Sequence, residues 1–423
     1  MRRRFPAPTS AIVVGAGMVG LATAWHLRRA GLAVRVVEAD RVAAGSSWGN
    51  AGWLTPPITT PLPEPAILRT GLRAMFSVTS PLYVPLRPDT VLIRFLLGFL
   101  RHSTPAAWHR AMQAYIPLNH RALAAFDELS EGGVTEPTHA AEPFLACFAG
   151  AEEHRLLMEE FEQIRAAGQP VTADLISGAE VRRIAPAVSE GIANAIRLEG
   201  TRFLHPPHYL EALASAVRRE GATIHERTQV TEVSGGRPST PAGVRVMTEE
   251  GEERWSADVV VLATGAWLGR LARPFGVQTV VQAGRGYSFT VPVDPMPRVP
   301  LYFPIQRVAC TPLGDRYRVA GMMEFRRPGE PLDPRRIDAI VRATRPLLTG
   351  ADFDDRQDEW VGSRPCTPDG LPLVGPTRSP RVIAAGGHGM WGITLGPLTG
   401  RLVAELVTTG ATPDLLRPLD PLR

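Results

Sequence analysis

The chain contains no lysine: all 46 basic side chains among its 423 residues are arginine. Without an ε-amine there is no Schiff base to a pyridoxal cofactor, and no phosphate-loop lysine either. Cysteine is almost as scarce. Cys147, Cys310 and Cys366 lie far apart, so they form neither a disulfide framework nor a CxxC metal site. Histidines show no ligand spacing, and no metal is expected. Charge is muted, at 21% of residues with a net +4. No basic stripe is interleaved with aromatics, so nucleic acid is not an expected partner. No run reaches the ~18 apolar residues of a membrane span. No export signal is evident, and a cytoplasmic location is expected. The most apolar stretch, Val91–Leu100 (VLIRFLLGFL), is short enough for a core helix. A contact with a membrane surface is its alternative reading.

What is present begins at the N-terminus. Ser10–Val14 (SAIVV) reads as a strand buried on both faces. Gly15-Ala16-Gly17-Met18-Val19-Gly20 follows, then a helical stretch at Leu21–Ala30 that stops at Gly31. Leu32–Val37 is a second strand, closed by Glu38. This is a βαβ unit of the expected ~30 residues. Gly15 permits the tight turn, Gly17 lets the backbone approach a pyrophosphate, and Gly20 lets helix and strand pack closely. The helix N-terminus offers free N–H groups to phosphates. Glu38 can accept from both ribose hydroxyls and would repel a 2′-phosphate. The unit therefore predicts a dinucleotide that is not NADP.

The next segment, Arg41–Leu54 (RVAAGSSWGNAGWL), is small, polar and glycine-rich where an NAD fold would continue into another helix. Here the sequence resembles the FAD-dependent D-amino acid oxidase superfamily, within it the D-amino acid dehydrogenase and glycine oxidase-like branch. Three further stretches carry the resemblance across nearly the whole chain. They are Thr228–Val233 (TQVTEV), Asp258–Trp267 (DVVVLATGAW), and the ordered pair Gly362–Gly375 (GSRPCTPDGLPLVG) with Gly386–Thr394 (GGHGMWGIT).

The resemblance implies non-covalent FAD. Its contacts would come from Gly15, Gly17, Met18, Val19, Gly20, Glu38 and Ala39, from Ser46, Ser47, Asn50 and Gly52, and from Val230 at the adenine. Thr264, Gly265 and Trp267 would follow, then Arg364 and the group Gly387, His388, Gly389, Trp391, Gly392 and Ile393. It also implies an α/β plus β fold: a discontinuous Rossmann-like FAD-binding domain (1–85, 171–272 and 355–423) and a substrate domain on a mostly antiparallel sheet (86–170 and 273–354). Gly286–Val291, Leu301–Val308 and Arg316–Ala320 read as strands of that sheet, and Leu398–Val407 as a closing helix.

The chemistry implied is oxidative deamination of an amino acid. A hydride leaves the α-carbon for flavin N5, and the imine hydrolyses to a 2-oxo acid. Arginine's planar fork suits a substrate carboxylate, and Arg364 matches the family's carboxylate arginine. Tyr287 and Tyr302 are candidates to position substrate, and Arg285, Arg316 or Arg318 to make a second carboxylate contact. Trp48 and Trp53 are candidates for the pocket mouth, and the Gly389 and Trp391 carbonyls for the amine. No side chain stands out as an obligate base. Resemblance alone selects a D-amino acid. Glycine or sarcosine, a cyclic imino acid such as hydroxyproline, and an aminophosphonate stay open, as does a flavoprotein subunit with no amine-oxidising activity of its own. Sarcosine-oxidase-like relatives are understood to activate oxygen with a lysine. Its lack leans toward a dehydrogenase delivering electrons to a quinone, with O2 as the alternative acceptor. A homo-oligomer and a peripheral contact at the inner face of the cell membrane are compatible with this reading.

Overall fold

The computed structural model describes residues 7–65, 82–85, 88–236 and 240–423. Strands from distant parts of the chain form a first sheet, in the order 223–225, 33–37, 10–14, 259–262, 382–386, 373–376. All its pairings are parallel except the last. Ser10–Val14 lies at its centre, with Val13 and Ile12 fully buried, as a strand covered on both faces must be. The fold is thus α/β plus β, and its nucleotide-type half is discontinuous, as the scattered motifs predict.

Helix Met18–Arg29 packs on this sheet and crosses helix Gly392–Thr409. The crossing is close because two glycines lie in it. A Cβ on Gly396 would overlap the Met18 side chain, and one on Gly400 would stand 2.5 Å from the Ala22 carbonyl carbon. The helix expected at Leu398–Val407 therefore starts earlier, at Gly392. Its first two turns contain Gly392, Gly396 and Pro397, which hid them from a propensity reading.

A second sheet of nine strands is mostly antiparallel. Gln357–Cys366 forms one edge of it, followed by Gln282–Val291 and Arg316–Arg326, each antiparallel to the next. The strand expected at Leu301–Val308 is instead a hairpin. Leu301–Phe303 and Val308–Leu313 pair antiparallel, with Arg307 in the left-handed region at φ 54° in the turn between them.

Three stretches fall elsewhere than their expected units, the first being strand Gln357–Cys366, expected with the nucleotide fold but paired into the large sheet. Ala173–Ser177 and Asn194–Leu198, expected with the nucleotide fold, pair into the large sheet. Helix Pro105–Glu131, expected with the substrate unit, buries Tyr115, Leu118, Ala122, Phe126 and Leu129 in the core of helices 18–29 and 392–409. The helix is amphipathic, and amphipathicity gives the element without naming the layer it covers; Asn194–Leu198 is buried almost throughout, which names no layer either.

Candidate active site

The glycine turn has the geometry its sequence predicts. Gly15 sits at φ +106°, and a Cβ there would overlap the Ala263 carbonyl. A Cβ on Gly20 would overlap the Gly15 carbonyl, so close strand–helix contact requires glycine there. A Cβ on Gly17 would crowd the Ser47 hydroxyl at 3.2 Å. Helix 18–29 has no acidic residue in its first turn and no cap from its own N-cap residue; the Met18 N–H donates to the Ser47 hydroxyl at 3.4 Å, and the N–H groups that follow it lie at the anion-binding end of the helix dipole.

Glu38 holds this turn together. One carboxylate oxygen accepts from the Ala16 N–H at 2.8 Å and the other from the Asp40 N–H at 3.1 Å. Burial raises its pKa above the ordinary carboxylate value, against those same hydrogen bonds. The Thr228 N–H donates to the Glu38 carbonyl at 2.8 Å, which brings strand Gln229–Ser234 beside it. That strand is at the edge of its three-stranded sheet, and Val230 is buried within it. An edge strand keeps backbone groups free for a base. Ala39 is exposed next to Glu38.

A cleft lies at the other end of the helix crossing. Met18, Val19, Ser46, Ser47, Asn50, Gly265, Arg364, His388, Gly389, Gly392 and Ile393 line it. These residues come from five separate stretches of sequence. Both helix N-termini, at Met18 and at Gly392, open onto this one space. Nearby, the Thr264 hydroxyl is buried and has no hydrogen-bond partner. A buried hydroxyl in that state calls for a polar ligand atom.

His388 does not present its ring to the cleft as a free edge. Its Nε2 lies 2.9 Å from the Thr399 hydroxyl, and burial draws its pKa down to about 4. Its backbone bends between Gly387 at φ +73° and Gly389 at φ +55°. The Trp391 carbonyl accepts from the Leu395 N–H at 2.9 Å, the first bond of helix 392–409. The Trp391 indole donates to the Thr60 carbonyl at 2.7 Å. Trp267 turns outward, with 42% of its surface exposed.

Arg364 projects toward Gly286 on the neighbouring strand, where a Cβ would overlap its guanidinium. Its one hydrogen bond among the described residues goes to the Met322 carbonyl at 3.2 Å, and no carboxylate among them pairs with it. Met322 is at a bulge with φ 63°, which turns that carbonyl toward the arginine. Desolvation lowers the pKa of this uncompensated cation below the usual guanidinium value.

The other arginine and tyrosine candidates are engaged elsewhere. Arg285 ion-pairs with buried Glu324 at 3.1 Å, and the Tyr287 hydroxyl donates to the same carboxylate at 2.5 Å. Strand alternation puts both on the face away from Gly286, with Tyr287 packed against helix Pro334–Thr344. Arg316 binds the Asp355 side chain at 3.2 Å, at the sheet margin. Tyr302 packs edge-on to Trp53 at 5.4 Å, and its buried hydroxyl is held by Arg307 rather than by the cleft.

Arg318 has a different task. The large sheet grips four consecutive carbonyls of the Trp48–Ala51 loop. Arg318 donates to those of Trp48 and Asn50 at 2.9 and 3.4 Å, Ser288 to Gly49 at 2.8 Å, and Thr311 to Ala51 at 2.7 Å. The Arg318 guanidinium also lies over the Trp48 ring at 5.2 Å. The Trp53 indole donates to Thr311 at 2.9 Å, so both tryptophans fasten the loop. The Asn50 side chain accepts from Gly52, whose φ of +79° ends the loop. Ser288 and Thr311 escaped sequence reasoning. Their one signal was a hydroxyl on the same strand face as a glycine or arginine candidate.

The FAD dependent oxidoreductase family, DAO, matches residues 10–406. This chain is a member of the DAO family. The D-amino acid dehydrogenase of Cereibacter sphaeroides is 31% identical over 413 residues, covering 96% of this chain and 92% of the relative. Among solved structures, glycine oxidase from Geobacillus kaustophilus matches with a TM-score of 0.74 at 22% identity, over 98% of each chain. The L-alpha-glycerophosphate oxidase from Mycoplasma pneumoniae with FAD bound matches with a TM-score of 0.70 at 17% identity, over 95% and 94% of the chains. The DAO fold thus accounts for the split nucleotide half and for the cleft where its loops meet. The two helix ends, the glycine cradle and the unpartnered Thr264 hydroxyl fit an FAD.

Proposed function

We propose that this chain is a dehydrogenase of D-amino acids that binds FAD non-covalently. Arg364 carries the reading. A largely desolvated guanidinium with no acidic partner among the described residues stands at the rim of the cleft, as a carboxylate clamp requires. FAD, when bound, supplies the two-electron acceptor for a hydride from the substrate α-carbon. The chain's own residues do the rest. Arg364 fixes the carboxylate, and so sets the distance and angle of the α-carbon. The Trp48–Ala51 loop, gripped by the large sheet, keeps the cofactor side and substrate side in register. Glu38 and Val230 serve the adenosine end, and the two helix N-termini face the anionic parts. The buried Cys366 thiol, pushed up to about 12, is a poor candidate for covalent attachment.

The relatives named D-amino acid dehydrogenase support the D-handedness and an acceptor other than oxygen. The test is anaerobic addition of D- and L-amino acids, glycine, sarcosine, hydroxyproline and an aminophosphonate to the yellow holoprotein. Bleaching of the flavin band by D-amino acids is expected. Bleaching by the L-series or by glycine alone would reassign the substrate. A flavin that no amine bleaches would turn the reading toward a subunit without its own amine-oxidising activity.

A further inference from the structure

Strand 316–326 carries one residue too many opposite Gly286. Its register against strand 282–291 pairs Arg285 with Glu324 and Tyr287 with Gly321, so Met322 and Met323 both stand opposite Gly286 in a bulge. Met322 takes its left-handed φ of 63° there, a conformation costly for a residue with a Cβ. An arginine takes each of the two bulge carbonyls. On the cleft side Arg364 crosses over Gly286 and donates to Met322 at 3.2 Å. From helix 334–344 Arg336 donates to Met323 at 3.5 Å.

Behind the bulge lies a cluster of buried charge. Glu324, Arg285, Arg336 and Tyr287 are shielded almost completely from solvent. One Glu324 oxygen receives the Arg285 guanidinium at 3.1 Å and the Tyr287 hydroxyl at 2.5 Å. The other lies 3.2 Å from the Arg326 Nε and 4.0 Å from the Arg336 Nε. Arg285 in turn donates to the Glu330 and Pro331 carbonyls, both at 2.8 Å. Burial and the adjacent carboxylate push the Tyr287 pKa up, so the phenol keeps its proton and donates.

Three guanidiniums around one buried carboxylate stabilise a fold little better than apolar side chains of the same volume. The cluster's placement gives it another role. Arg285 and Tyr287 are the two chain neighbours of Gly286, and Glu324 is the residue that follows Met323. A single carboxylate therefore clasps both strands around the bulge, at the point where Arg364 crosses.

We propose that Glu324 and Tyr287 are positioning residues for the Arg364 clamp. They fasten strand 282–291 on either side of Gly286 to the end of the bulge. This holds the Met322 carbonyl and the gap above Gly286 at the spacing that aims the guanidinium. Tyr287 and Arg285, candidates in the sequence for direct contact with substrate, thus act on it through the backbone. The proposal rests on the reading of Arg364 as the carboxylate clamp.

The experiment uses full-length, FAD-loaded protein and propionate, a carboxylate with no amine to oxidise. Its dissociation constant is read from the perturbation of flavin absorption in the parent, Tyr287→Phe, Arg364→Ala and the double variant. Tyr287→Phe carries the test, because it keeps the ring and every ion pair and removes only the hydroxyl. It should weaken propionate at least ~fivefold when Arg364 is present and less than ~twofold in Arg364→Ala, as expected of residues in one network. Glu324→Gln should change binding in the same direction by more. In steady-state dye reduction, Tyr287→Phe should raise KM for the amino acid and leave KM for its amide unchanged. A role in stability alone would lower the urea midpoint and weaken propionate equally in both Arg364 backgrounds, and that result overturns the proposal. Undiminished binding by Tyr287→Phe, with binding lost in Arg364→Ala, overturns it and leaves the clamp standing. Arg364→Ala that binds propionate as the parent does defeats the clamp and this proposal together.

Discussion

The carboxylate clamp can be tested without removing it. Arg364→Ala deletes the cation, but Gly286→Ala keeps the cation and displaces it, because the new methyl would occupy the space of the guanidinium. A buried, hydrogen-bonded charge pair is worth about 2–5 kcal/mol when one partner is removed. That corresponds to a ~30- to ~5,000-fold loss in kcat/KM for a carboxylate-bearing substrate. The carboxylate is bound before and during hydride removal, so most of the loss should appear in KM. Displacement of about 1 Å without deletion costs up to ~100-fold, so Gly286→Ala should fall between the parent and Arg364→Ala. Arg364→Lys should recover only part, since an ammonium lacks the two-pronged geometry. The assay is steady-state dye reduction across substrate concentration, with flavin content measured in each variant. The same substrate amidated at its carboxyl is the control, because it should react poorly with the parent and lose nothing further in Arg364→Ala. An unchanged KM in both Arg364→Ala and Gly286→Ala would refute the clamp.

Three other outcomes are expected. Arg318→Met leaves two loop carbonyls without their donor, a penalty of about 1–3 kcal/mol; FAD titration of the apoprotein should show a dissociation constant raised by up to ~150-fold, and an unaltered value would deny the loop its part in cofactor binding. Gly400→Ala forces the two crossing helices apart and should lower stability by about 1–3 kcal/mol, read by urea denaturation; a wild-type midpoint would count against the tight crossing. Acid should weaken the fold before the carboxylates titrate. Burial draws His388 to about 4, and burial with the Arg401 and Arg29 charges draws His26 to about 3, both from 6.5. Below pH 6.5 the unfolded chain therefore binds protons that the folded chain refuses. Stability falls as pH drops from 6.5 toward 4, with a slope approaching ~1.4 kcal/mol per pH unit for each histidine. His388→Gln should flatten that slope in denaturation curves taken between pH 7 and 4.5, and a parent with no slope there would contradict the assignment.

The sequence was most legible where backbone geometry restricts side-chain choice. The turn at Gly15, Gly17 and Gly20 could be read directly, because each position excludes a Cβ for a reason that strand–turn–helix geometry supplies. The cleft loops at Ser46–Asn50 and Gly387–Ile393 were found through resemblance. Nothing in their local composition shows that the 336 intervening residues fold back to bring them together. The polar candidates on strands were harder. Arg285, Tyr287, Arg316 and Arg318 are indistinguishable in type, and only alternation decides which face each takes. With neither register nor bulge known, Arg318 reads as one of three candidates for a second carboxylate contact although it holds the loop, and Tyr287 as one of two candidates to position substrate although it serves Glu324. Gly286 went unread because its role depends on a side chain 78 positions later, Arg364, lying across from it.

The glycine crossing of the first and last long helices has an electrical consequence. Each helix carries about half a positive elementary charge at its start, and the crossing aims both at one space. Two like partial charges facing one space repel each other. An anionic occupant turns mutual repulsion into shared attraction. Cofactor loading should therefore do more than equip the protein for chemistry: it should act as the last step of consolidation, binding the chain's beginning to its end, so that the colourless apoprotein comes apart first at this seam.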